Sequence, residues 1–380
     1  MRIQASLVAL LVACGDDDPT PPADAPPVLR LPVNFRVRGE VPRLLAIRDV
    51  PGEWTVLPTN ATGMYTADAA LRHQIAMVCG APGAFSTTIE MRVRTDSDPF
   101  LFCFNGDNPA PTFPITGQML QPGQVSMSGM DDSTTAPWLF DLAADAGAHD
   151  LVAFGSSLVL VRPNLMITAA TTIPTIDLAQ GGEAYATTTS IISNRETDEV
   201  TQTELTVFVE NDVASLTRSG ATLYELPASQ LGAGIQFGTV AALTPTTRRD
   251  TSIAGTSVVN VTLLPRLSGI TFGEIGPSWT MLPLETDSVS YLMFTPTNDL
   301  SLRASGQYLA GDTSLAIELD IPGFDAAWRV PAADRVHRFS IYDEDFSESS
   351  MSSAPMPVAF RSSLDERRQQ VLRERVARHR

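Results

Sequence analysis

Val33-Asn34-Phe35-Arg36-Val37-Arg38-Gly39 alternates apolar and polar side chains and then stops at a glycine. A period of two puts Val33, Phe35 and Val37 on one face of a strand and Asn34, Arg36 and Arg38 on the other, so the strand is half buried with one wet face. The same alternation returns at Met91 and Val93 between Arg92 and Arg94. It returns again at Leu205, Val207 and Val209, and at Leu315, Ile317 and Leu319. Clusters such as Asp49-Val50-Pro51-Gly52, Asn105-Gly106-Asp107-Asn108 and Leu120-Gln121-Pro122-Gly123 separate these runs and read as turns. Many short strands at this spacing predict a mainly β fold of tandem sandwich-like domains.

A weak repeat runs through the first half. Val37-Arg38-Gly39 leads through Gly63-Met64-Tyr65-Thr66-Ala67-Asp68 to His73-Gln74-Ile75-Ala76-Met77-Val78. Ile115-Thr116-Gly117 leads through Trp138-Leu139-Phe140-Asp141 to His149-Asp150-Leu151-Val152-Ala153-Phe154 in the same order. Over about residues 30 to 165 this order resembles the carboxypeptidase regulatory-like, transthyretin-like sandwich. That resemblance implies structural and binding modules and carries no active site. From about residue 183 to 350 the chain reads as further β structure without an evident copy of the repeat.

The N-terminus points to export. Met1-Arg2 supplies one charge and Ala5 to Ala13 an apolar run too short to span a bilayer, as in a signal peptide. It ends in Leu11-Val12-Ala13-Cys14, which resembles the lipobox of bacterial lipoproteins and implies lipidation of Cys14. Gly15 to Pro27, rich in proline and aspartate, reads as an extended tether reaching roughly 40 Å from the lipid. Cys79 and Cys103 then remain, an even number in an oxidising compartment, and read as one disulfide or as two buried thiols.

The expected organisation is a signal peptide over 1–13, a linker over 14–30, β domains over 31–110, 111–181, 182–270 and 271–350, and a linker with a basic helix over 351–380. That last segment, from Leu364 to Arg380, holds strong helix formers without Gly or Pro.

Charge and motifs narrow the function. A net charge of −17 argues against nucleic acid as a partner. All 26 basic residues are arginine, so chemistry that needs a lysine is excluded. His73, His149, His337 and His379 show no metal-ligand spacing, and no Gly-x-Ser-x-Gly elbow occurs. The histidines read as hydrogen-bonded core or edge residues, with His73 on one apolar face with Leu71, Ile75 and Met77. Asp131-Asp132, and Asp343 and Asp345 with Glu344 and Glu348, are carboxylate clusters. Asp343 and Asp345 are the candidate calcium ligands, against a reading as solvated surface charge. Trp54, Trp138, Trp279 and Trp328 are spread along the chain, as one tryptophan per core would be. Trp328, beside Phe324 and Arg329, also suits an exposed stacking surface.

These features predict a lipid-anchored protein of the bacterial outer membrane or cell surface, a non-catalytic binding, adhesion or assembly module without a cofactor. Its expected partners are the membrane, through the lipid, and a protein or carbohydrate. The alternative is an envelope hydrolase acting on glycans or esters.

Overall fold

A computed structural model describes residues 29–94, 100–103, 112–127, 130–133, 138–253, 260–274, 276–283, 286–309, 311–343 and 347–355. In it the chain is mainly β, with two one-turn helices, Ala228–Leu231 and Gly306–Leu309, among the described residues. Cys14, the tether, Asp345 and the expected C-terminal helix lie outside the described residues.

One pairing pattern organises the molecule. Leu31–Gly39 runs antiparallel to Met64–Ala69 and parallel to Phe100–Cys103. The facing sheet is Leu44–Asp49, Arg72–Ala81 and Ala84–Val93 in antiparallel order, with Thr55–Val56 at its margin. The alternation in Leu31–Gly39 decides the packing. Val33, Phe35 and Val37 turn inward onto Leu45, Ile47, Ile75 and Met77, while Asn34, Arg36 and Arg38 stay in water.

The second copy matches strand for strand. Phe113–Gln118 is antiparallel to Leu139–Ala144 and parallel to Thr171–Thr172. Gln124–Met127, Gly147–Phe154 and Leu158–Ile167 form its facing sheet, with Met130–Ser133 at the margin. Gly39 and Gly117, which close the first strand of each copy, are both needed for close approach. A Cβ on Gly39 would lie 2.2 Å from the Cys103 carbonyl oxygen, and one on Gly117 would lie 2.2 Å from the Phe140 ring.

Sequence inspection shows no copy of the repeat beyond residue 183, yet the pairing returns there, in full in the third copy and in part in the fourth. In the third copy the first strand is broken into Ala186–Thr189 and Ile191–Ile192. These pair antiparallel with Thr222–Glu225 and parallel with Asn260–Val261, respectively. Its facing sheet is Val213–Ser219, Val200–Phe208, Ile235–Leu243 and Thr247–Ile253. In the fourth copy Gly276–Ser278 bridges antiparallel to Ser314, opposite Asn298–Ser305, Ser288–Phe294, Val336–Tyr342 and Ser347–Ser352. The break in the third copy's first strand and the two- and three-residue strands explain why period-two patterning conceals these copies.

Three of the four facing sheets merge. Thr247–Ile253 pairs antiparallel with Ser347–Ser352, and Asn298–Ser305 pairs parallel with Ala84–Val93, giving one twelve-stranded sheet in the order third, fourth, first copy. Merging leaves each of these margins with a partner instead of a row of bare N–H and C=O groups. The second copy keeps its own sheet, which Glu183–Ala184 extends.

Cys79 and Cys103 form a disulfide with Cα atoms 5.4 Å apart. It joins the two sheets of the first copy inside their shared core. Leu71 departs from its expected place: it is 53% exposed, because the strand starts at Arg72 and Leu71 lies in the preceding corner.

Candidate functional site

The parallel seam between Asn298–Ser305 and Ala84–Val93 ends in a cluster of aromatic side chains. Asn298, the first residue of its strand, is 7% exposed and has its whole amide engaged. Its Oδ1 accepts the N–H of Phe85 at 3.3 Å, and its Nδ2 donates to the carbonyls of Ala327 at 2.9 Å and Arg329 at 2.7 Å. One buried side chain thereby fixes the start of a strand from the first copy against a loop of the fourth. The loop itself is set by Asp325, whose Oδ1 accepts from the Ala327 N–H at 2.8 Å and caps the short turn Ala326–Trp328.

These two backbones carry three rings. Trp328 meets Phe324 edge-on at 5.4 Å and Phe85 at 6.3 Å between ring centres. All three are half buried, and Phe324 and Trp328 pack their inner sides against the core of the first and fourth copies. Two arginines flank them: Arg43 lies 5.8 Å above the Phe85 ring and Arg329 lies 5.9 Å above Phe324. A carboxylate joins them at the rim, that of exposed Asp325 on the loop. The result is an aromatic apex at a junction between repeats, where pockets and binding surfaces commonly form.

Trp328 is thus at the surface, whereas Trp54 and Trp279 are buried in the core that the first and fourth copies share. Sequence reasoning named Trp328, Phe324 and Arg329 but missed Phe85, Arg43 and Asn298. Phe85 follows a Pro82-Gly83 turn and joins the cluster only through strand pairing across more than two hundred residues.

The chain matches no protein-family model and no curated protein.

The histidines occupy related places. His73, His149 and His337 each stand near the start of the corresponding strand in their copies, and Gln236 takes that place in the third. Gln236 Nε2 donates to the Leu226 carbonyl at 3.1 Å, just after the preceding strand. His149 Nε2 lies 3.1 Å from the Asp145 carbonyl at the equivalent corner. In the second and third copies this side chain therefore ties a corner of the sandwich. His149 Nδ1 also faces Asp212 at 3.3 Å. Asp212 in turn accepts from the Asp150 N–H at 2.5 Å. His337 instead bonds Tyr291 at 2.6 Å and stacks on Phe272. Burial, with help from Arg335, holds the His337 imidazole below its usual pKa.

Asp343 accepts from the Ser347 N–H at 2.8 Å, closing the turn of a hairpin. Asp132 likewise accepts from the Asp141 N–H at 2.8 Å. Among the described residues no group of three or more His, Cys, Asp or Glu is arranged to hold a metal ion.

A second polar region was not legible as a site. By register, Arg303, Ser290, Ser340, Ser350 and Arg248 form one row across five neighbouring strands of the long sheet. Around this row Arg248 pairs with Asp250 at 2.5 Å and Glu204 at 3.6 Å, and Arg338 pairs with Glu348 at 2.5 Å. Glu90 lies 2.9 Å from Arg92 and 3.6 Å from Arg303. Burial and then the Glu348 carboxylate push the nearby Tyr342 phenol up to about 12. Four arginines balance four carboxylates, so this face is internally neutralised and acts as a polar floor that rigidifies the sheet.

Proposed function

We propose that this chain is an exported, lipid-anchored protein of the bacterial outer membrane or cell surface that binds an external partner without catalysing a reaction. The aromatic apex around Trp328 is the observation that carries the reading. Half-buried rings, each held by backbone that a buried amide pins in place, form a preorganised recognition surface. The Leu11-Val12-Ala13-Cys14 motif and the proline-rich tether support anchoring through lipid on Cys14. The Cys79–Cys103 cross-link supports an oxidising compartment. Tandem sandwich-like repeats agree with the resemblance to transthyretin-like modules, which are structural and binding units.

The test is retention of the full chain on immobilised polymers of several classes: polysaccharides, peptidoglycan and extracellular proteins. Wild type should be retained by at least one class, and Trp328→Ala should lose that retention while keeping its circular dichroism spectrum. Equal behaviour of the two proteins on every surface would defeat the reading.

A further inference from the structure

We propose that the apex is a carbohydrate site for a neutral, hydroxyl-rich glycan, with Trp328 as the stacking platform and Asn298 as the residue that positions it. The proposal rests on the binding function given above and narrows it to one ligand class.

Three observations support it. First, the rings are half exposed and of mixed orientation, Phe324 standing at 87° to Trp328, so they form a platform with a raised edge instead of a deep apolar groove. A pyranose presents a C–H face of that size, and burial against an aromatic face is favourable for such amphipathic rings. Second, the rim carries both signs, with Arg43 and Arg329 over the rings and Asp325 on the loop between them. Charges of both signs side by side suit hydroxyls, which both donate and accept, better than a polymer carrying one sign of charge. Third, the backbone here is already paired. The Phe85 N–H meets the Thr297 carbonyl at 3.1 Å and Asn298, and the Ala327 and Arg329 carbonyls are taken by Asn298. A peptide therefore finds no open strand edge to extend by β-addition.

Asn298 explains the precision of the site. Its amide engages both segments that carry the rings, so its loss frees the Trp328 loop from the start of the Phe85 strand. Asn298→Asp keeps an acceptor for the Phe85 N–H but removes both donors to the loop carbonyls. It places a carboxylate against two carbonyl oxygens.

Affinity electrophoresis of the full chain tests this, with gels containing neutral polymers (dextran, amylose, a β-1,3-glucan, galactomannan), acidic polymers (alginate, hyaluronan) or gelatin. Retardation by at least one neutral polymer is expected, weakened about tenfold or more by Trp328→Ala and severalfold by Asn298→Asp. Trp328→Phe should keep part of the retardation, which separates loss of the platform from loss of folding. Retardation by the acidic polymers alone, abolished by Trp328→Ala, would overturn the neutral class while leaving a binding apex. Trp328-dependent retardation by gelatin alone would overturn the carbohydrate assignment in favour of a protein partner. If no polymer retards the wild type in a Trp328-dependent way, both this inference and the binding function fail.

Discussion

The first and second copies of the repeat share every internal strand pairing, yet only the first is joined to a neighbour by both an edge and a face. The first copy adds an edge to a face: Ala46, Val78 and Met91 pack into the core of the fourth copy, and Ala84–Val93 lies beside Asn298–Ser305 with seven residue pairs in parallel register, so the two copies share one sheet. The second joins through a face. Val152, Phe154 and Val159 point away from its own core and pack on Leu205, Val207 and Leu216 of the third copy. Edge joining makes a continuous hydrogen-bonded surface and places two loops together at its end, which is where the aromatic apex forms. Face joining buries side chains and leaves the joined sheets separate. The same supersecondary unit thus yields a continuous sheet ending in an aromatic cluster or a packed spacer, depending on whether one of its edges also meets a neighbour.

The largest expected effect breaks the face joint. Phe154 is fully buried between the second and third copies, and among the described residues their sheets share no strand pairing. Phe154→Ala should cost about 4 kcal/mol, the usual range for a buried phenylalanine. Urea unfolding should show this as a lower midpoint, with the second copy becoming susceptible to protease first. An unchanged midpoint would mean that the two copies do not depend on this contact.

Next comes the cross-link that only the first copy carries. At the position paired with the closing glycine, the first copy has Cys103 and the second has Ile173, following the shared parallel register. The disulfide spans a sequence separation of 24. Replacing both cysteines by alanine should cost about 3 kcal/mol on the loop-closure model. Hydrogen exchange should quicken in Arg72–Ala81 and Leu31–Gly39 and stay unchanged in Gly147–Phe154. Uniform quickening across both copies would show that the first copy is not an independent unit of stability.

A smaller effect falls on the polar tie beside the face joint. Asp150 is buried and accepts from the Asn164 N–H at 2.8 Å, the Asn211 N–H at 2.8 Å and the Asn211 side chain at 2.9 Å. Asp150→Ala strands these donors and should cost about 2 kcal/mol. Asp150→Asn should cost less, because one oxygen still accepts. A double mutant with Phe154→Ala measures whether the polar and apolar halves of the joint are coupled.

What the sequence reveals of this architecture follows from how local each feature is. Alternation in Val33 to Val37 fixes an inward face without reference to any other strand, and so does the pairing of a strand-ending glycine with a later histidine. The edge joint had no such mark. Nothing in Asn298-Asp299-Leu300 says that the segment lies beside Phe85-Ser86-Thr87, because parallel pairing between distant segments leaves no periodic trace. The apex was half legible for the same reason. Trp328, Phe324 and Arg329 are neighbours in sequence, whereas Phe85 and Arg43 reach them through tertiary pairing alone. The histidines were legible as markers but not as corner ties. The role of His149 appears once Gln236 is seen making, with its amide, the same kind of bond to a corner carbonyl that His149 makes with its ring.

The smallest expected effect concerns that marker in the fourth copy. His149 faces carboxylates, Asp212 at 3.3 Å and Asp145 at 3.2 Å, whereas His337 faces the Tyr291 hydroxyl, the Phe272 ring and the positive charge of Arg335. Burial and then Arg335 lower the folded-state pKa of His337, while the unfolded chain titrates near 6.5. Between those two values the unfolded state binds more protons than the folded one, so stability must rise with pH there and fall as pH drops through about 6.5. Unfolding free energy measured from pH 7.5 down to about 5.5 should therefore decline slightly. His337→Gln should remove that part of the decline, since an amide can still reach the Tyr291 hydroxyl without titrating. Carboxylates held low by their hydrogen bonds, such as Glu183, contribute only at more acid pH and do not obscure this window. An identical pH profile for the two proteins would show that His337 is more open to water than its stacking on Phe272 implies. A steeper decline in the variant would show that the imidazole is favoured in its charged form.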